Sequence, residues 1–161
     1  MGVQKTVCRN AKTLEHGSFQ LRETVHVCMA GCHRPDGAVA TRKACAPTEF
    51  LLPGRSVGYD VMEWIGRQRF LHNRQREEIQ AELKREHGID LSTGEISVLV
   101  RLFLDYFLRL HQARAAQIRR ALEKDGGWPM HADATCEDGR GTLLAILAGW
   151  RGWVLGAWKI P

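Results

Sequence analysis

The sequence predicts an α+β chain: a small β-hairpin module first, a helical middle, and a three-stranded antiparallel meander last. Three observations carry this. Ser18 to Cys28, SFQLRETVHVC, alternates apolar and polar residues with the period of a half-buried strand. Ser92-Thr93-Gly94-Glu95 is a capping box, a serine cap with a glutamate three residues on, and it opens a long apolar run at helical spacing. From Trp128 onward, short apolar runs are separated by glycine-bearing turns. These textures divide the 161 residues into 1–58, 59–125 and 126–161.

Each element has its own warrant. In the first segment, His16-Gly17 before the alternating run is a turn signal, so a small hairpin is expected. Arg34-Pro35-Asp36-Gly37 is a second turn. Residues 59–72, YDVMEWIGRQRFLH, place Val61, Met62, Trp64, Ile65, Phe70 and Leu71 on a wide apolar helix face. Asn73 can cap a following helix over 74–87, with Ile79 and Leu83 inward and Gly88 as its C-terminal glycine. After the capping box come Ile96, Leu99, Val100, Phe103, Leu104, Phe107 and Leu108 at helical spacing, then Ile118 and Leu122, and the helix ends at Lys124 before Asp125-Gly126-Gly127. The meander is expected as strands over Trp128–Cys136, Thr142–Ala148 and Val154–Ile160, with turns at Glu137–Gly141 and Gly149–Gly152.

Hydrophobic residues make up 44% and charged residues 25%, which argues against a disordered chain, a collagen-like repeat or a disulfide miniprotein. The net charge of +5 permits an anionic partner. Its excess lies in 1–58 (8 basic, 4 acidic) and 96–124 (6 basic, 2 acidic), not in 60–95 (6 basic, 8 acidic). Five cysteines at irregular spacing are read as reduced thiols, and the N-terminal residues lack a signal-like apolar region, so a cytoplasmic location is expected. The apolar stretch Thr142 to Trp158 is read as strands, with no membrane anchoring expected. A spanning helix needs about 20 apolar residues, and Arg151 at the centre of such a helix would cost roughly 2.5–3.5 kcal/mol.

Three constellations can carry chemistry. The first is a helix-turn-helix: the helix at 74–87, a short turn with Gly88, and the capped helix. Thr93, Glu95, Ser97 and Arg101 lie early on the second helix, where hydroxyls and a guanidinium can meet base edges or phosphates. Arg67, Arg69, Arg74 and Arg76 can bind flanking phosphate. Plain helical packing is the other reading, because these arginines alternate with Glu77, Glu78, Glu82 and Glu86. The second is Cys28-Met29-Ala30-Gly31-Cys32, two thiols at the spacing of a zinc knuckle. Structural zinc needs four ligands; Cys8, Cys45, His26 and His33 are available but form no second knuckle, so a pair of free thiols in a degenerate or lost site is the favoured reading. The third is Asp133, a carboxylate in mid-strand of the kind that holds Mg²⁺ in nucleotidyl-transfer sites, or else an ordinary strand-edge residue.

The ordered phrases KTLEHGSFQLRETVHVC, GRSVGYDVMEWIGRQRFLHNRQREEIQAELKREHGIDLSTGEIS and WPMHADATCEDGRGTLLAILAGWRGWVLGAWKIP resemble the N-terminal portion of bacterial insertion-sequence transposases of the DDE type, from about Lys12 to Pro161. The resemblance implies a degenerate zinc-ribbon-like hairpin module, a helix-turn-helix with a long following helix, and the start of an RNase H-like catalytic domain. It implies that Asp133 is the first acid of the catalytic triad, that Mg²⁺ serves the family's chemistry, and that Cys28 and Cys32 are the remnant of a zinc site. The initial C-x2-C knuckle of such proteins is missing, since Cys8-Arg9-Asn10-Ala11 offers one cysteine, read as a linker residue. The match stops at Pro161, after the third strand and without the second and third acids. The expectation is therefore a truncated transposase-like protein without strand-transfer activity. It would still bind DNA at the terminal inverted repeats of an insertion sequence. Two alternatives stand beside it: a stand-alone helix-turn-helix regulator of transposition, dimeric through Phe103, Leu104, Phe107, Leu108 and Ile118, and a non-DNA helical interaction protein.

Overall fold

A computed structural model describes residues 1–43, 46–137 and 141–160. The fold is α+β, with two three-stranded antiparallel sheets and one long helix. It divides into two compact units, Met1–Leu108 and Arg109–Pro161.

The first unit opens on a long hairpin of β1 (Gly2–Thr13) and β2 (Gly17–Val27), in register from Thr13 opposite Gly17 to Gly2 opposite Val27 with one shift between Val3 and Lys5. Cys8 is therefore a strand residue opposite Arg22, not part of a linker. Gly17 is needed at the turn twice over. Its φ is +65°, and a Cβ there would lie 2.9 Å from the His87 carbonyl oxygen. The short strand β3 (Thr41–Arg42) pairs with the far end of β2. Strand β1 is mostly exposed and β2 mostly half-buried, with Ala11 and Thr13 buried at the turn end and Val25 buried on β2. That end is tied down by backbone groups: Lys12 N–H donates to the Ser56 carbonyl (2.8 Å), Gly58 N–H to the Lys12 carbonyl (2.8 Å), and Leu14 N–H to Asp60 Oδ2 (2.7 Å).

After the short helix α1 (Ala46–Phe50) come α2 (Tyr59–Phe70), α3 (Arg76–His87) and α4 (Thr93–Lys124). The first two turns of α4 share one core with α2 and α3, made of Leu52, Val57, Val61, Met62, Ile65, Ile79, Leu83, Ile89, Leu91, Ile96 and Leu99. Each such aliphatic side chain stabilises the fold by about 1.5–3 kcal/mol relative to exposure. The α3–α4 turn contributes directly, because Ile89 and Leu91 are buried while Asp90 between them is exposed. Gly88 closes α3 in the left-handed region as expected, at φ +62°. Asn73 does not cap α3; it takes φ +57° just beyond α2, and Gln75 is the cap, in a reciprocal box with Glu78. The expected apolar stripe of α4 also divides. Ile96 and Leu99 are buried and Phe103 half-buried, but Leu104, Phe107 and Leu108 are exposed.

The second unit holds the later turns of α4 and a meander, β4 (Met130–Glu137), β5 (Gly141–Ala148) and β6 (Trp153–Ile160), in that spatial order. β4 starts after Trp128, because Pro129 has no N–H for the ladder and instead accepts from Gly149 N–H (2.8 Å). Trp128 lines a 390 Å³ cavity with His111, Ala115, Ile118, Leu122 and Leu155. Arg151 sits in the β5–β6 turn. Its guanidinium grips Asp125 through Nε–Oδ2 (2.5 Å) and Nη2–Oδ1 (2.7 Å) and lies 4.7 Å over the Trp153 ring. Trp150, Trp153 and Trp158 are exposed. Among the described residues no helix is long and apolar enough to cross a membrane.

Candidate nucleic-acid interface

Ser92 and Glu95 build the start of α4. Glu95 Oε2 accepts from Ser92 N–H (2.8 Å) and Ser92 Oγ (3.0 Å), and Ser92 Oγ accepts from Glu95 N–H (3.1 Å). The bond from Ser92 N–H holds the Glu95 carboxyl below the usual range. Glu95 is therefore engaged as a cap at the start of α4.

Thr93, Ser97 and Arg101 stand four residues apart and so share one row of α4. Thr93 and Ser97 are half-buried and Arg101 is exposed. Ser97 Oγ donates to the Thr93 carbonyl (2.9 Å) and accepts from Arg76 Nη1 of α3 (3.2 Å). Arg76 and Arg101 have no carboxylate partner among the described residues. The row is thus two hydroxyl residues followed by Arg101, with Arg76 against Ser97, and neither guanidinium has a carboxylate partner among the described residues.

The other arginines are engaged. Arg74 pairs with the nearly buried Glu82 at 2.5 Å. Arg69 Nη1 donates to the Arg74 carbonyl (3.0 Å) and Gln75 Oε1 (3.3 Å), bracing the α2–α3 connection. Arg67 lies 3.4 Å from Glu63 on an exposed face, a weak pair that leaves its charge accessible. The structure also adds a cation that the sequence reading missed. Arg55, in the loop before α2, lines a small cleft with Ser56, Glu95 and Leu99. No local pattern could have shown this, because burial of Leu52 and Val57 brings that loop to α4.

The remaining candidates stay apart from this row. Asp133 is exposed in β4, opposite Ala145. Cys28 and Cys32 lie together beyond β2 with their sulfurs 2.9 Å apart. That shared hydrogen bond lowers the Cys28 thiol and raises the Cys32 thiol. Cys45 is outside the described residues. Among the described residues, no three His, Cys, Asp or Glu side chains stand together as a metal-holding group. Among the described residues, Cys28 and Cys32 supply two of the four ligands that structural zinc needs, and no second carboxylate clusters with Asp133. Comparison of the chain with family models, curated proteins and solved structures found no match.

Proposed function

We propose that the chain binds DNA as the N-terminal portion of a DDE-type transposase, using α3, the Gly88–Ser92 turn and α4 as a helix-turn-helix on the terminal inverted repeats of an insertion sequence. The observation that carries this reading is the polar row Thr93, Ser97 and Arg101 with Arg76 beside it: positive charge without a carboxylate partner among the described residues, at the start of the second helix. A recognition helix presents such groups from its N-terminal turns. Arg101 and Arg67 meet phosphate or base edges, and Arg55 adds charge on the other flank. Arg69 and Arg74 position α3. The meander is the start of an RNase H-like sheet, with Asp133 at the first-acid position.

The test is a gel shift with duplexes carrying the inverted repeats that flank the gene, against shuffled duplexes, at several salt concentrations. Preferential binding that weakens with salt is expected. Binding that is absent, salt-insensitive or indifferent to sequence overturns the proposal.

A second reading is favoured by one observation. Leu104, Phe107, Leu108 and Leu110 are exposed along α4, as in a dimer seam of a stand-alone helix-turn-helix regulator. Sedimentation distinguishes the two: a monomer at all concentrations excludes the seam.

A further inference from the structure

Cys28 and Cys32 are held together by backbone, independently of their sulfurs. Cys28 N–H donates to the Ala40 carbonyl (3.1 Å), and Ala40 N–H donates to the Cys32 carbonyl (2.8 Å), so one residue anchors both cysteines. Gly31 N–H turns back to the Cys28 carbonyl (3.2 Å), with Gly31 at φ +69°. The return strand is itself pinned. Arg34 N–H donates to the Ala38 carbonyl (2.7 Å), and Arg34 Nη2 donates to Thr41 Oγ1 (2.8 Å). The result is two sulfurs at 2.9 Å on a solvent-facing loop, Cys32 exposed and Cys28 half-buried. The other described thiols lie elsewhere, Cys8 on β1 and Cys136 on β4.

We infer that Cys28 and Cys32 form a reversible dithiol–disulfide site that exchanges with low-mass disulfides. The pair needs only bond formation and no chain rearrangement, because the backbone has already brought the sulfurs together. In the reaction, one protein thiolate attacks a sulfur of the low-mass disulfide. That S–S bond breaks, and the first low-mass thiol leaves carrying one proton. The second cysteine then gives up its proton and attacks the mixed disulfide at the protein sulfur. The Cys28–Cys32 bond forms and the second low-mass thiol leaves. Two electrons pass from the pair to the oxidant, and its two halves depart as two thiols.

The experiment equilibrates the full chain with glutathione and glutathione disulfide at set ratios, quenches with acid, alkylates, and digests with trypsin. The fragment 23–42 carries Cys28 and Cys32 and no other cysteine. Both alkylations on it should disappear together, leaving a fragment lighter by two hydrogens, and return on reduction. Cys28→Ser and Cys32→Ser should each stop at a stable glutathione adduct on the remaining cysteine. The pair should close at least about tenfold more favourably in the folded chain than in concentrated guanidinium. Closure equal in the two conditions overturns the inference. So does a folded fragment that stays doubly alkylated at every ratio. Native mass spectrometry showing stoichiometric zinc, with both thiols protected in the reduced chain, also overturns it.

Discussion

Phe103 of α4 lies directly over Gly66 of α2, where a Cβ on Gly66 would overlap the ring. The ring is confined further by stacking against Phe70 (6.0 Å) and Phe107 (5.8 Å). Glycine inside a helix costs about 1 kcal/mol relative to alanine. Overpacking a close contact costs about 1–3 kcal/mol. The contact wins: Gly66→Ala should destabilise the first unit by up to about 2 kcal/mol in urea unfolding. Adding Phe103→Leu to Gly66→Ala should cost less than the two changes summed. A stabilised Gly66→Ala variant would show that the two helices do not approach this closely.

The Ser92–Glu95 box makes stability depend on acid pH. Ser92→Ala should cost about 1 kcal/mol at neutral pH. The folded Glu95 carboxyl sits below the ordinary glutamate value of 4.5. Its contribution is therefore complete above that value and lost as pH falls through the lower, folded one. Glu95→Gln should flatten the acid limb of a stability-versus-pH curve, and an unchanged limb would remove Glu95 from the cap.

Arg151 and Asp125 should act as a corner clamp of the second unit. Arg151→Lys keeps the charge but loses the two-point grip and the stacking on Trp153. Its thermal midpoint, followed by tryptophan fluorescence, should fall below that of the unsubstituted chain at neutral pH. The Asp125 carboxyl is held down first by the hydrogen bond from Arg151, so the clamp is present above the ordinary aspartate value of 3.8 and fades as pH drops through the lower, folded one. The two midpoints should converge there.

Much of this architecture is legible in the chain itself, where it depends on local patterns. The β2 alternation, the Ser92–Glu95 box, Gly88 and the three runs of the meander are short-range signals, and they appear in the structure within a few residues of their expected bounds. The length of β1 is not legible, because Lys5, Arg9 and Asn10 lie on a mostly exposed strand whose order comes from backbone pairing with β2. Asn73 resembles a cap, but Gln75 and Glu78 satisfy the α3 end better as a reciprocal pair. The site is legible by residue type and not by partnership. Arg74, Arg76 and Arg101 look alike in sequence, and only long-range placement commits Arg74 to Glu82 while leaving Arg76 and Arg101 without a carboxylate partner.

That difference supplies the most direct measurement of the DNA-binding proposal: the salt dependence of duplex affinity, by fluorescence anisotropy, for the unsubstituted chain, an Arg76→Ala/Arg101→Ala variant and an Arg74→Ala variant. Each lost phosphate contact should lower the slope of log affinity against log salt by about 1. The double variant should therefore bind more weakly and with a shallower slope. Arg74→Ala should keep the slope while losing stability through the uncompensated Glu82. A double variant with the original affinity and slope would contradict the assignment of this face to DNA.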